Sequence, residues 1–428
     1  MRLAYTPEQQ AFRAEVRAWM AAHVPKAPLE HFDASREGFE AHRAWEATLK
    51  TGNWGMVTWP VEYGGRGLDL IQWLIFEEEY WRAGAPGRVN QNGIFLFGPT
   101  LIEFGTPDQK ARFLPPMASG EDIWAQAWSE PQAGSDLAGI RATAVRDGDD
   151  YVLNGHKIWS SRAAFADWAF GLFREPGSER HPQGRHRGTS LIVFPLTAPG
   201  VTRNPIRKIN GHPGFAEIIL EKVRVPAFNR IGEEGQGWHI CMATAGFERG
   251  LMLRSPARYQ VAAARLAALW QAKKSAYLNT RLAHPEPVEG CAQVVEPGSD
   301  AARTLRQAQG ERTWECGEPD PALEAEVIRA HINADAYALS IYQTASRLMA
   351  GAKIGPEAST NKIFWSEMDI HLHQTALAIL GAEAEVLVEP GEHDWLDDYI
   401  FSLAGPIYAG SNEIQRNIIA ERMLGLPR

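Results

Sequence analysis

Ser129-Glu130-Pro131-Gln132-Ala133-Gly134-Ser135-Asp136, followed downstream by Gly155-His156-Lys157-Ile158-Trp159-Ser160-Ser161, is the stretch whose reading decides the fold. Taken alone, each half has an ordinary reading. Serines beside Pro, Gly and Asp finish strands and cap turns, and an isolated tryptophan is more often core than contact. The surroundings have the texture of short strands: Tyr151-Val152-Leu153, Ser190-Leu191-Ile192-Val193-Phe194 and Glu217-Ile218-Ile219-Leu220, separated by Gly, Pro and Asp. Residues 124–231 are therefore expected to form a β-barrel-like middle domain.

Upstream the period changes. Thr6-Pro7-Glu8-Gln9 predicts a helix start, with Thr6 as N-cap, Pro7 where its missing N–H costs little, and Gln9 reaching back. Phe12, Val16, Trp19 and Met20 then share one face. Helical patterns recur to about Ser119, broken by the Gly-rich Tyr63–Gly67, so residues 1–123 are expected to be an α-helical domain. Downstream of Gly235-Gln236-Gly237, residues 232–428 return to long helices: Trp238 to about Leu278, Pro321 to Met349, Pro356 to Leu380 and Asn412 to Met423. Pro256 should kink the first of these, or restart it with Ser255 as cap. Residues 279–320 are poor in large apolar side chains and rich in Pro, Gly, Glu and Gln, which predicts a flexible insertion. The fold class expected is α+β: a helical N-terminal domain, a β middle domain and a C-terminal helical bundle.

With 428 residues, 45% of them hydrophobic, the chain can bury a large core divided over two or three domains. Its formal charge of −9, with both signs interleaved, leaves no basic stripe for nucleic acid. Cys241, Cys291 and Cys316 have neither disulfide-framework nor metal-ligand spacing, so no metal site is expected and a reducing compartment is the simpler reading. No apolar signal segment and no run of about 18 apolar residues occurs. A cytoplasmic location without membrane insertion is expected.

The two opening motifs resemble those of the acyl-CoA dehydrogenase family. Trp59-Pro60, Tyr63-Gly64-Gly65-Arg66-Gly67, Phe104-Gly105-Thr106, Val223-Arg224-Val225-Pro226 and the C-terminal Pro406-Ile407-Tyr408-Ala409-Gly410-Ser411-Asn412-Glu413-Ile414-Gln415-Arg416-Asn417 follow in that family's order. The resemblance implies FAD as cofactor, with Ser129 at the pyrimidine edge of the ring, Trp159 packed against it and Ser161 near N5. Ser411 and Glu413 would lie at the cofactor, and Ser135 near the acyl-CoA. It further implies an electron-transfer flavoprotein as acceptor, and a homodimer or homotetramer. Oxidation across Cα and Cβ of a thioester needs a base, donors on the thioester oxygen and a hydride acceptor, and no side chain accepts hydride.

Many members carry the catalytic glutamate at the position matched by Ala409. Others, including some acting on branched or long acyl chains, carry it on the long helix after the sheet, where Glu248 stands in Phe247-Glu248-Arg249-Gly250. The resemblance thus implies Glu248 as base and Arg249 as its orienter or a CoA contact, since arginine stays protonated. The ordinary reading of a Glu-Arg dipeptide is a solvated pair on a helix surface. Ala409 retains a backbone N–H for the thioester carbonyl. Two departures bear on assembly: the family's Arg-x-x-Phe-Gly segment is absent, and Leu380-Gly381-Ala382-Glu383-Ala384 stands where Gly-Gly is usual. Both bear on the inter-subunit half of the cofactor site, and the absent segment together with Ala409 suits an alternative in which the chain is a non-catalytic acyl-CoA- or FAD-binding subunit of a heteromer. An oxygen-using flavin oxidase or monooxygenase on the same fold is the other alternative.

Overall fold

The computed structural model describes residues 4–177, 184–249, 255–283, 320–352, 355–386 and 393–427, without the side chains of 247–249 and 280–283. The first layer is helical: α1 (Pro7–His23), α2 (Arg36–Thr51), α3 (Leu70–Arg82), α4 (Gly98–Phe104) and α5 (Pro107–Ser119). The Thr6–Gln9 capping box forms as read from sequence, and the same device opens α3 from Asp69 and α5 from Thr106. A π-helical turn over Asn92–Phe97, with no signature in the hydrophobic period, leads into α4.

The middle layer is an eight-stranded sheet in the order β6-β7-β3-β2-β4-β5-β8, with β1 alongside β4. Its strands are β1 (Trp124–Ala127), β2 (Thr143–Asp147), β3 (Asp150–Ser161), β4 (Trp168–Arg174), β5 (Thr189–Pro195), β6 (Val201–Ile206), β7 (Phe215–Pro226) and β8 (Arg230–Ile231). β3 and β7 are each 12 residues long, far beyond the short apolar runs visible in sequence. They pair antiparallel, with register shifts between Leu153 and Gly155 and between Lys157 and Ser160. Such bulges bend a strand and re-aim its side chains.

The last layer is α6 (Gly237–Arg249), α7 (Pro256–Ala283), α8 (Pro321–Met349), α9 (Ala358–Leu380), α10 (Trp395–Ser402) and α11 (Asn412–Ile418), the last continued by a π-helical turn over Ile419–Met423. Pro256 starts α7. α7 runs to Ala283, past Asn279 where the insertion was expected to begin. Asp320 caps α8; residues 284–319 of the expected insertion lie outside the described residues. α10 is too short for its period to be legible, although Asp394 marks its start as N-cap.

Two helical layers share one core, in which Phe12, Trp54 and Phe76 meet Tyr259, Tyr337 and Leu372. A second core joins α5, the sheet and α6 through Phe113, Trp124, Phe170 and Ile240. Each such fully buried side chain contributes about 1.5–3 kcal/mol relative to exposure, so the sheet is clamped on its helical side. No described helix is long and apolar enough to cross a membrane.

Candidate active site

The sheet brings the two opening motifs together. Ile158 N donates to the Ser129 carbonyl at 3.0 Å, so the turn after β1 lies against the end of β3. Lys157 is fully buried beneath this junction. Its ammonium donates to Glu130 Oε1 at 2.8 Å, Leu172 O at 2.7 Å and Trp128 O at 3.3 Å. Glu130 also accepts from Arg141 N at 2.7 Å, Ala142 N at 2.9 Å and Gln132 Nε2 at 2.7 Å. Burial pushes its carboxyl upward, but the Lys157 charge and these donors outweigh burial and hold it below the usual range.

Two residues past Lys157 the bulge turns Trp159 outward. Trp159 has φ 59°, is 58% exposed, and meets Phe215 edge-on with ring centroids 6.1 Å apart. Ser161 is half-buried, and its carbonyl accepts from Asn92 Nδ2 at 3.5 Å. Ser135 is exposed, next to Asp136, which pairs with Arg185.

Ala409 and Ser411 belong to a separate loop on the C-terminal layer, and Glu413 to the first turn of the helix that follows it. Ala409 and Gly410 take φ 56° and 80°, a left-handed pair that reverses the chain before α11. Ser411 is the N-cap, its hydroxyl accepting from Ile414 N at 3.4 Å. Glu413 is exposed; its own backbone N–H and the Ser411 hydroxyl hold its carboxyl below the ordinary value. Beneath the loop, buried Gln415 donates through Nε2 to Gly410 O at 3.1 Å and Ala409 O at 3.4 Å.

A buried polar seam on α9 supports that loop, and sequence reasoning did not single it out. Lys362, Ser366, Asp369 and His373 are each at most 3% exposed and recur at helical spacing on one face. Lys362 Nζ donates to Gly405 O at 2.9 Å and Asn412 Oδ1 at 2.7 Å, and Asn412 Nδ2 donates to Ser366 Oγ at 3.1 Å. Asp369 faces Arg258 at 3.8 Å, and His373 lies 3.8 Å from Asp398. The available signal was only that these four polar residues share one helical face.

Glu248 and Arg249 fall in the last turn of α6, and their side chains lie outside the described residues. α6 is fastened one turn earlier, where Thr244 Oγ1 lies 2.8 Å from Thr100 Oγ1 of α4. Among the described residues, His31, Asp33 and His212 converge closely enough for an ion. Lys208, 2.9 Å from the second Asp33 oxygen, already supplies a cation there.

Helical layers before and after an eight-stranded sheet in chain order define the acyl-CoA dehydrogenase fold, and with it an oxidoreductase. The descriptions "Acyl-CoA dehydrogenase, N-terminal domain", "middle domain" and "C-terminal domain" match residues 6–121, 125–223 and 297–424. The chain belongs to the acyl-CoA dehydrogenase family. It is 36% identical over 425 residues to acyl-CoA dehydrogenase IpdE1 of Mycobacterium tuberculosis, covering 98% of each chain. Acyl-CoA dehydrogenase FadE26 of the same organism is 31% identical over 442 residues, covering 100% of this chain and 99% of that one. Among solved structures, the ChsE4-ChsE5 complex from Mycobacterium tuberculosis superposes with TM-score 0.75 at 30% identity over 100% of both chains. The Tcur3481-Tcur3483 steroid ACAD does so with TM-score 0.76 at 25% identity, also over 100% of both.

Proposed function

We propose that the chain binds FAD and oxidises an acyl-CoA thioester to its 2-enoyl-CoA, with an electron-transfer flavoprotein as acceptor and a cytoplasmic location. The observation that carries this reading is Trp159: a large aromatic surface held outward from a left-handed bulge beside Ser129 and Ser161, where a planar ring would cover it. These residues fit the pyrimidine side of a flavin. FAD, when bound, supplies the hydride acceptor that the side chains lack. Ser129 and Ser161 offer hydrogen bonds at the ring edge. Ser135 and Arg249 contact the acyl-CoA, Glu248 takes the α-proton, and the Ala409 N–H donates to the thioester carbonyl. Ser411, the N-cap of α11, and Glu413, in its first turn, serve the cofactor from the C-terminal layer. By likeness to the steroid ACAD, the acyl group proposed is bulky and ring-bearing.

The protein is proposed to work as an oligomer. α8 leaves Ile328, Ile332 and Leu339 exposed at 55%, 61% and 48% along one side, a surface suited to a second subunit. A homodimer or homotetramer suits that face. A heteromer is favoured by the ChsE4-ChsE5 and Tcur3481-Tcur3483 pairs among the similar structures and by the Leu380–Ala384 departure. Purified protein should be yellow with FAD and should bleach anaerobically with its best substrate from a panel of straight, branched and steroid-derived acyl-CoAs. Glu248→Gln should slow bleaching by about 10²–10⁴-fold. Bleaching at the wild-type rate removes Glu248 as base, and a colourless protein that takes up no FAD with or without a co-expressed partner subunit overturns the whole reading.

A further inference from the structure

We infer that Glu130 and Lys157 form a positioning pair that sets the geometry of the flavin-facing edge, locking the Ser129 peptide and the Trp159 bulge into one fixed relation. The inference rests on the FAD reading above. Neither residue is proposed to touch the cofactor.

The connections are specific. Lys157 spends its three donors on Trp128 O, Glu130 Oε1 and Leu172 O, so one ammonium grips the residues before and after Ser129 and ties both to β4. The Ser129 carbonyl is held from across by Ile158 N at 3.0 Å, the residue adjacent to Lys157. Ser129 is thus fixed on both flanks and on its own carbonyl. On the other side, Trp159 occupies φ 59°, a left-handed conformation costing an L-residue roughly 1–2 kcal/mol. Such a conformation persists only where its surroundings over-determine it. Trp159 lies inside the register shift between Lys157 and Ser160, two residues along the strand from the buried ammonium.

Stability alone does not account for two buried charges here. Well-packed apolar residues often serve as well or better, whereas removing one partner strands the other. The pair adds direction: Glu130, bonded to Arg141 N and Ala142 N as well, fixes where the ammonium sits and so where Ser129 sits.

The test compares FAD-loaded wild type with Glu130→Gln/Lys157→Met, which removes both charges, and with Glu130→Asp, which keeps the charge but shortens its reach. FAD dissociation constant, visible flavin circular dichroism, flavin midpoint potential and urea unfolding are measured on each. The double variant is expected to fold, to bind FAD about tenfold or more weakly, and to show an altered flavin dichroic band. Glu130→Asp should show a smaller weakening in the same direction, and decides the matter if the double variant fails to fold. The single variants Lys157→Met and Glu130→Gln should shift the midpoint potential in opposite directions, downward for the stranded negative charge and upward for the stranded positive one. Wild-type affinity and dichroism in the folded variants, or equal potentials in the two singles, overturn the inference. A wild-type protein that binds no FAD fails the proposed function instead, a distinct outcome.

Discussion

The two halves of the candidate site are each built around a buried lysine, but in different ways. Lys157, under the sheet edge, faces the Glu130 carboxylate and two carbonyls across neighbouring strands. Lys362, under the Ala409 loop, is the first member of a seam that continues along α9 through Ser366 and Asp369 to His373. One half depends on a compact pair, the other on a chain of polar groups. The difference sets where each is vulnerable. The sheet edge is lost by removing a single charge or by acid that protonates Glu130. The seam is loosened piecemeal and is exposed to base through His373.

The largest expected effect breaks the compact half. Lys157→Met strands the Glu130 carboxylate and should destabilise the fold by about 3–5 kcal/mol in urea unfolding; a loss below 1 kcal/mol would mean that Glu130 is neutral in the folded protein. Next comes Lys362→Met, which leaves the Gly405 carbonyl and Asn412 Oδ1 without this donor and should cost about 2–3 kcal/mol. Its signature is local. Amide exchange should accelerate over residues 405–415 and remain unchanged over 157–161, and equal acceleration in both regions would erase the distinction between the halves.

The third prediction concerns pH. Burial opposes the charged His373 ring, but its hydrogen bond to Asp369 and the charges of Asp369 and Asp398 outweigh burial and raise its pKa. A folded-state pKa above the unfolded value of about 6.5 contributes stability that is fully present below that value. That stability fades as pH rises through the folded pKa. For Glu130 the sign reverses: its depressed carboxyl contributes above about pH 4.3 and is lost as pH falls. His373→Gln should therefore cost stability at pH 6 and progressively less toward pH 9, and a pH-independent difference between the proteins rejects the seam as a titrating element. The smallest effect sharpens the loop geometry: Ala409→Gly, at φ 56°, should relieve left-handed strain and be neutral to stabilising by up to about 1 kcal/mol. A measurable loss would show that the Ala409 methyl group packs usefully.

Much of this architecture was legible because it rests on local chemistry. Thr6 and Gln9 announce a cap that depends on nothing distant, and Pro256 ends one helix pattern and begins another wherever it stands. The full lengths of β3 and β7 were hidden because their outward positions, such as Asn154, His156, Glu221 and Lys222, interrupt the apolar runs. The site was legible as two motifs, but not as a connected object. In sequence Lys157 is one charged residue in the motif beside Trp159, with nothing local to mark it as buried; only the crossing of β1, β3 and β4 places it inside. The α9 seam was missed for the same reason, since helical spacing puts Lys362 and His373 on one face without saying which face is buried.

The antiparallel course of α7 and α8 has an engineering consequence. Gln260 bonds Asp335 at 2.9 Å and Lys274 bonds Glu324 at 2.9 Å, so the two helices are zipped together up to the end from which residues 284–319 depart. A helical hairpin already closed by its own contacts requires only a short tether between its arms. That end of the bundle is therefore the place to splice: a Gly/Ser linker, a fluorophore tag or a small reporter domain joined between Ala283 and Asp320 would meet a hairpin whose described contacts, like those of the sheet edge and the Ala409 loop, are made by residues on either side of it.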